Sequence, residues 1–243
     1  MHVPDGFLDA PTSVATGVVA VAGVGLALRG ARRELDDRTA PLAGLVATFV
    51  FATQMLNFPV GAGTSGHLLG GTLAAVLVGP WTAILSLSVV LLVQALLFAD
   101  GGITALGTNI TLMGLVAVVV GWLVFRAVQR VLPQRPRMVV PATAVGAFVS
   151  VPVAALGFVG LYAVGGTAAI PLETLTVAML GWHLLIGVGE AVITALVVGS
   201  VVAVRPDLVY GARRVLRSRE LEIRHAPERN RSAAPSARED HVA

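Results

Sequence analysis

Residues 68–98 read "LLGGTLAAVLVGPWTAILSLSVVLLVQALLF", an apolar run of 31 residues. One membrane span needs about 20 apolar residues, so the run is long for one helix and short for two. Gly79-Pro80 falls near its middle, and Pro supplies no N–H to continue a helix through that point. Whether the run counts once or twice sets the topology of the whole chain. Further apolar runs lie at roughly 12–28, 41–56, 107–125, 138–164 and 174–204, separated by short polar or Gly-rich joints. The composition agrees with a polytopic membrane protein, since 56% of the 243 residues are hydrophobic and the mean hydropathy is +0.83.

Basic residues decide the count. Arg29, Arg32, Arg33 and Arg38 fill the first joint, and Arg126, Arg130, Arg135 and Arg137 a later one. Both joints are expected on the cytoplasmic side, which requires an even number of crossings between them. Counting 68–98 as one span gives three crossings, whereas splitting it at Pro80 gives four. The reading is therefore an all-α polytopic membrane protein of seven transmembrane helices, with its N-terminus outside and its C-terminus cytoplasmic. Residues 1–204 form the membrane domain with an external tail at its start. An Arg-rich cytoplasmic tail occupies 205–243, beginning with Arg205, Arg213, Arg214 and Arg217, and is expected to be disordered from about 218 for want of apolar periodicity. His225 and His241 in that tail fall on the wrong side for an external site.

Several chemistries are excluded. There is no Cys, so thiolate metal sites are closed to the chain. All 17 basic residues are Arg, which removes the Lys of a P-loop and of a retinal-type Schiff base. The Arg clusters flank apolar runs and read as insertion signals, not as a nucleic-acid surface.

On this topology the N-terminus and the loops 57–67, 99–106 and 165–173 share the outer side, and none contains Arg. The opening "MHVPDGFLDA" carries Asp5 and Asp9 and lacks the basic leader of a signal peptide, so Met1 is expected to persist as the mature terminus. A free α-amino group has a pKa near 7.7–8 and yields its proton to a divalent metal at neutral pH. The amine nitrogen, the His2 amide nitrogen and His2 Nδ1 can close two fused chelate rings on one ion. His67 is the natural fourth nitrogen of a square site of the kind Ni(II) or Cu(II) takes. Pro4 and Gly6 fix and bend the tail toward the bundle.

Four stretches, "MHVPDGFLDAPTS" at 1–13, "LNFPVGAGTSGHLLGG" at 56–71, "VQALLFADGGITALGTNI" at 93–110 and "WHLLIGVGEAVIT" at 182–194, together resemble the CbiM/NikM family. These are the substrate-binding (S) membrane subunits of energy-coupling-factor cobalt/nickel transporters. The resemblance runs from Met1 to about Arg205. It implies a seven-helix subunit of a prokaryotic cell membrane that takes Ni(II) or Co(II) as transported substrate through Met1, His2 and His67. It also implies partners: a transmembrane coupling (T) subunit, two cytoplasmic ATP-binding subunits that hydrolyse the ATP, and a small auxiliary membrane subunit. The chain itself is then no enzyme.

A ligating imidazole usually donates its second N–H to a carboxylate, carbonyl or amide. External candidates are Asp5, Asp9, Asn57, Ser65, Asp100 and Asn109, with Asp100 and Asn109 favoured. The same residue types also serve turns and helix caps. His183 and Glu190 share a helix face about 10 Å apart. Ionisable groups inside a span suggest function by default, though hydrogen bonds that fix helix packing explain both, with a proton pathway as the sharper reading. Rows of small residues at Gly23, Ala27 and Ala31, at Ala40, Gly44, Thr48 and Ala52, and at Gly187, Ala191, Ala195, Gly199 and Ala203 permit close helix contact or docking. Two rival readings remain. "GTSG" at 63–66 matches a short signature of rhomboid intramembrane proteases, with Ser65 and His183 as the pair, and a metal channel needing no partners is the other.

Overall fold

The computed structural model describes residues 1–36, 39–61 and 64–216. Arg38, Gly63 and the tail from Arg217, including the stretch expected to be disordered, lie outside the described residues. The helices are α1 (Ala10–Ala31), α2 (Thr39–Gln54), α3 (Gly71–Val78), α4 (Pro80–Leu97), α5 (Leu106–Val131), α6 (Val139–Gly165) and α7 (Leu172–Val204), with a hairpin of β1 (Phe58–Gly61) and β2 (Thr64–Gly66) between α2 and α3. Five of them, α1, α4, α5, α7 and α6 with its preceding turn, have the length and hydropathy to cross a membrane, while α2 has 16 residues.

Gly79-Pro80 does break the apolar run. α3 ends at Val78, Pro80 opens α4, and Gly79 joins them at φ 100°. The joint is clamped by Glu34, whose carboxyl oxygens accept the N–H groups of Trp81 (3.3 Å) and Thr82 (2.7 Å) and the Thr82 hydroxyl (2.9 Å). These are donors that the first turn of α4 leaves open. A Cβ at Gly79 would lie 2.5 Å from the Glu34 carboxyl carbon in a backbone conformation side chains rarely adopt. Gly79→Ala is therefore expected to cost about 1–3 kcal/mol, read as an earlier thermal unfolding midpoint in detergent. An unchanged midpoint would refute this view of the joint.

The first half of the run differs from the expected span. Only Gly71–Val78, 8 residues, is helical there, about 12 Å at 1.5 Å per residue. Gly61, Gly66, Gly70 and Gly71 deprive the segment before it of helix propensity. That segment instead folds as the hairpin, in register Phe58↔Gly66 and Pro59↔Ser65 with an irregularity before Gly61, and then descends to α3. Every residue of α3 is buried, so this apolar element contacts protein on all sides and needs no lipid-facing length.

Contacts between joints place the connecting segments at two opposite ends. At one end Val3 meets Gly102 and Asn109, Asp9 meets Gly165, Phe7 meets Thr167, and Asn57 meets Asp100. At the other, Glu34 holds the start of α4, Arg213 lies 3.8 Å from Asp36, and Gln129 Nε2 donates to Gly211 O at 3.0 Å. The Arg-bearing joints thus gather away from the N-terminus, as the charge pattern predicts. Two apolar clusters fill the bundle. One, around Val76, Phe125 and Val198, lies toward the Arg end. The other contains Met1, Val3, Phe7 and Leu8 themselves, packed with Leu69, Leu112, Phe158 and Met179.

Candidate metal centre

The N-terminal tail is a fixed part of the bundle. Its apolar residues Met1, Val3, Phe7 and Leu8 are all buried, and Phe7 packs against Phe158 and Tyr162 with ring centroids 5.7 and 5.4 Å away. Burying such side chains contributes roughly 1.5–3 kcal/mol each. Asp9 caps α1 by accepting the Thr12 N–H at 2.9 Å. Asp5 accepts the Thr104 N–H at 2.7 Å and its hydroxyl at 2.5 Å. Val3 is held most tightly: its N–H donates to Asn109 Oδ1 (2.8 Å), and its carbonyl accepts from Asn109 Nδ2 (3.2 Å) and the Gly102 N–H (2.9 Å). Asn109, expected beside an imidazole, thus fixes the main chain next to His2 instead. A π-helical stretch, Ile110–Val116, begins directly after it in α5, a feature with no sequence signal.

The structure brings His2 and His67 together. Their rings stack with centroids 4.4 Å apart and planes at 25°, and both side chains are buried, at 6% and 1% exposure. His67 Nδ1 donates to its neighbour's carbonyl, Leu68 O, at 2.8 Å. That bond leaves Nε2 as the lone-pair nitrogen, and it is buried with no hydrogen-bond partner. His2 Nδ1 lies 3.1 Å from Asp100 Oδ1, off the line of a full hydrogen bond. Asp100 is in turn held by Asn57 Nδ2 at 3.2 Å. Of the other expected groups, Ser65 stands opposite Pro59 in the hairpin, and no described hydrogen bond joins it to the two rings. The backbone of the 99–102 loop presses on the pair, for a Cβ at Gly101 would sit 3.2 Å from His2 Cδ2. Gln94 was not singled out from the sequence. It is fully buried with both amide atoms unpartnered and its side chain reaches His2; its place on an apolar helix gave no spacing by which to find it.

Electrostatics leave these nitrogens unprotonated. Burial pushes the Met1 α-amino group down to about 4, with Asp100 opposing. Burial likewise holds the His67 imidazole well below its usual range, helped by the nearby α-amino group, His2 and His183. His2 is lowered by burial against the pull of Asp100. Burial would raise the Asp100 carboxyl, but the His2 ring, the α-amino group and Asn57 outweigh it and keep it low. The result is neutral nitrogen donors beside one carboxylate, suited to a cation and not to an anion. Among the described residues no three His, Asp or Glu side chains converge as a ligand cluster, so a site here draws on main-chain nitrogens. His2 Nδ1 faces Asp100 in the structure; were the ring turned over, Nδ1 and Cδ2 would exchange places and Nε2 would come to the Asp100 side, the usual place for a carboxylate behind a ligand.

The buried amine makes docking of the tail pH-dependent. Between pH 8 and about 4 the undocked terminus carries a proton that the docked one lacks, so docking strengthens as pH rises through this window. Amide hydrogen exchange of residues 2–9 is expected to be faster at pH 5 than at pH 8 after correction for intrinsic rates. Equal protection at both would contradict a neutral buried terminus.

Glu190 is hydrogen-bonded to main chain of another element, as expected for a group that fixes packing, whereas the His183 bond stays within α7 itself. His183 Nδ1 donates to Met179 O at 2.7 Å, and Glu190 accepts the N–H groups of Leu69 and Gly70. Ser65 and His183, the protease pair, are not hydrogen-bonded to each other among the described residues.

Known proteins resemble the chain in sequence and fold. A solved structure of a truncated transition metal transporter superposes with a TM-score of 0.77 at 34% identity, over 84% of this chain and 99% of that one. A Haloquadratum walsbyi protein named as a metal transport protein is 40% identical over 212 residues, 86% of this chain and 94% of its own. An Archaeoglobus fulgidus protein named as a fused nickel transport protein NikMN is 38% identical over 210 residues, 86% of this chain and 68% of its own length. The family model for the CbiM cobalt uptake substrate-specific transmembrane region matches residues 2–208, all of the bundle and the tail from His2 onward, and with that span the chain belongs to the CbiM family of cobalt/nickel uptake membrane components.

Proposed function

We propose that this chain is the substrate-binding subunit of an ATP-driven nickel/cobalt importer, with the N-terminus outside and seven crossings of the membrane, one of them made by the short α3 together with the segment that joins it to the hairpin. In it the divalent ion is held by the Met1 amine, the His2 amide and imidazole, and His67 Nε2. The observation that carries this reading is the juxtaposition of buried His2 and His67, 4.4 Å apart, at a chain terminus whose Met1 is itself buried. Asn109 sets the main-chain position, and Asp100 takes the outward N–H of His2. Planar nitrogen coordination favours Ni(II), while Cu(II) binds such a set at least as tightly, so loop geometry and metal availability select the cargo.

The coupling partners are a T subunit and two cytoplasmic ATP-binding subunits, with a small auxiliary membrane subunit beside them. The name of the fused A. fulgidus relative supports the last, because this chain covers only 68% of that protein. Helix faces support the first. In α7 Gly187 is buried against Phe148 and the rest of its small row is half-buried up to an exposed Ala203, whereas Ala40, Gly44, Thr48 and Ala52 on α2 are all exposed and free to meet another helix. In proteoliposomes, ⁶³Ni uptake is expected only when the partner subunits and ATP are present. Uptake by this chain alone would establish the partner-independent channel in its place.

A further inference from the structure

We propose that Glu190 is a positioning residue for the metal site, acting on His67 through the peptide group between Leu68 and Leu69. This inference rests on His67 as a ligand and assigns a use to a buried acid that the coordination itself does not require.

The connection is continuous. His67 Nδ1 donates to Leu68 O at 2.8 Å. The other side of that same peptide, the Leu69 N–H, donates to Glu190 Oε2 at 2.7 Å. Glu190 Oε1 takes the next N–H, from Gly70, at 3.0 Å. The Leu69 carbonyl is held from α2 by Gln54 Nε2 at 2.7 Å. All these groups are buried: Leu69, Gln54 and Glu190 are at most 2% exposed. Glu190 projects from α7, 18 residues after Leu172 where the helix begins, about 27 Å along its axis. A side chain from the middle of the longest helix therefore grips the two peptides that link the ligand loop to α3.

Two physical effects follow. Metal-bound imidazoles commonly donate their second N–H to a carboxylate, which fixes the ring and raises its basicity. Here a peptide is inserted between the two, and hydrogen bonds in series through a polarisable peptide strengthen one another in a water-free interior. Glu190 thus pulls on the Leu69 N–H, Leu68 O becomes a better acceptor, and His67 Nδ1–H is held, which leaves Nε2 as the unpartnered nitrogen of a ring stacked on His2. Orientation is the second effect. The Gly-rich approach to α3 has little conformational preference of its own, and the Glu190 and Gln54 bonds supply it. Packing alone would explain a buried acid that capped α3, but it would leave the strength of His67 as a ligand unaffected.

Ni(II) titration calorimetry on the full-length protein separates the two. Glu190→Gln keeps the shape and one acceptor, leaves the second N–H without a partner, and is expected to weaken Ni(II) binding roughly 10- to 100-fold, the range for groups behind a ligand. In a His67→Ala background the same substitution is expected to change affinity less than about twofold. Gln54→Leu, which frees the Leu69 carbonyl without touching the acid, is expected to lower affinity in the same ligand-dependent way and serves if Glu190→Gln does not fold. Parental affinity in both Glu190→Gln and Gln54→Leu overturns the proposal while leaving His67 as a ligand. Equal losses with and without His67 also overturn it, by showing a purely structural role. Parental affinity in His67→Ala alone overturns the ligand assignment and this inference together.

Discussion

His67→Ala is expected to lower Ni(II) affinity by about 10²–10³-fold, beyond the 10–100-fold typical of groups that only support a ligand, with the fold retained. The expected loss is large because His67 Nε2 is a lone pair buried without a hydrogen-bond partner in a protein where no acidic or imidazole cluster stands ready to replace it among the described residues. Retention of the fold follows from how the loop is anchored. Main-chain bonds from Glu190 and Gln54, not the imidazole, hold Leu69 and Gly70. Calorimetry gives the affinity and circular dichroism with thermal unfolding gives the fold. Parental affinity in a folded variant would remove His67 from the site.

A Gly-Ser-Gly-Ser extension placed before Met1 is expected to abolish measurable Ni(II) binding, the largest effect of any change short of unfolding. The extension converts the Met1 amine into a peptide nitrogen, whose proton is far harder to displace, and moves the new amine four residues further from His2, too far to close a chelate with its imidazole. Packing adds to the chemistry, since Met1 is 2% exposed and lies in the apolar cluster with Leu69 and Met179. The extra residues must displace that side chain or force the tail off Asn109. Proteolytic removal of the extension is expected to restore binding, which distinguishes a blocked terminus from a misfolded one. Undiminished binding by the extended protein would exclude the amine as a ligand.

Much of this arrangement was legible in the sequence because each feature had a local cause. Gly79-Pro80 marked the α3–α4 joint since neither residue continues a helix, and Arg-free joints marked the end where the tail and loops meet. His2 and His67 could be paired because both fell on that side. What stayed hidden depends on three-dimensional neighbours. The hairpin and the brevity of α3 follow from glycines whose effect on a run this apolar is set by burial on every side. Asn109 looked like a ring acceptor, but only the docked tail reveals that it holds Val3. Gln94 carries no signal beyond being polar among apolar residues. The orientation of the His2 ring, with Nδ1 beside Asp100, is likewise a matter of contact and not of spacing.

The account turns on one ion shared by the chain terminus and two imidazoles, and anomalous X-ray scattering at the nickel absorption edge from crystals grown with Ni(II) tests it most directly. A single anomalous peak is expected within bonding distance of the Met1 nitrogen, His2 Nδ1 and His67 Nε2, with Asp100 on the far side of the His2 ring. A peak that omits the Met1 nitrogen, or that lies against Asp5, Asp100 or the Arg-bearing end, would contradict it.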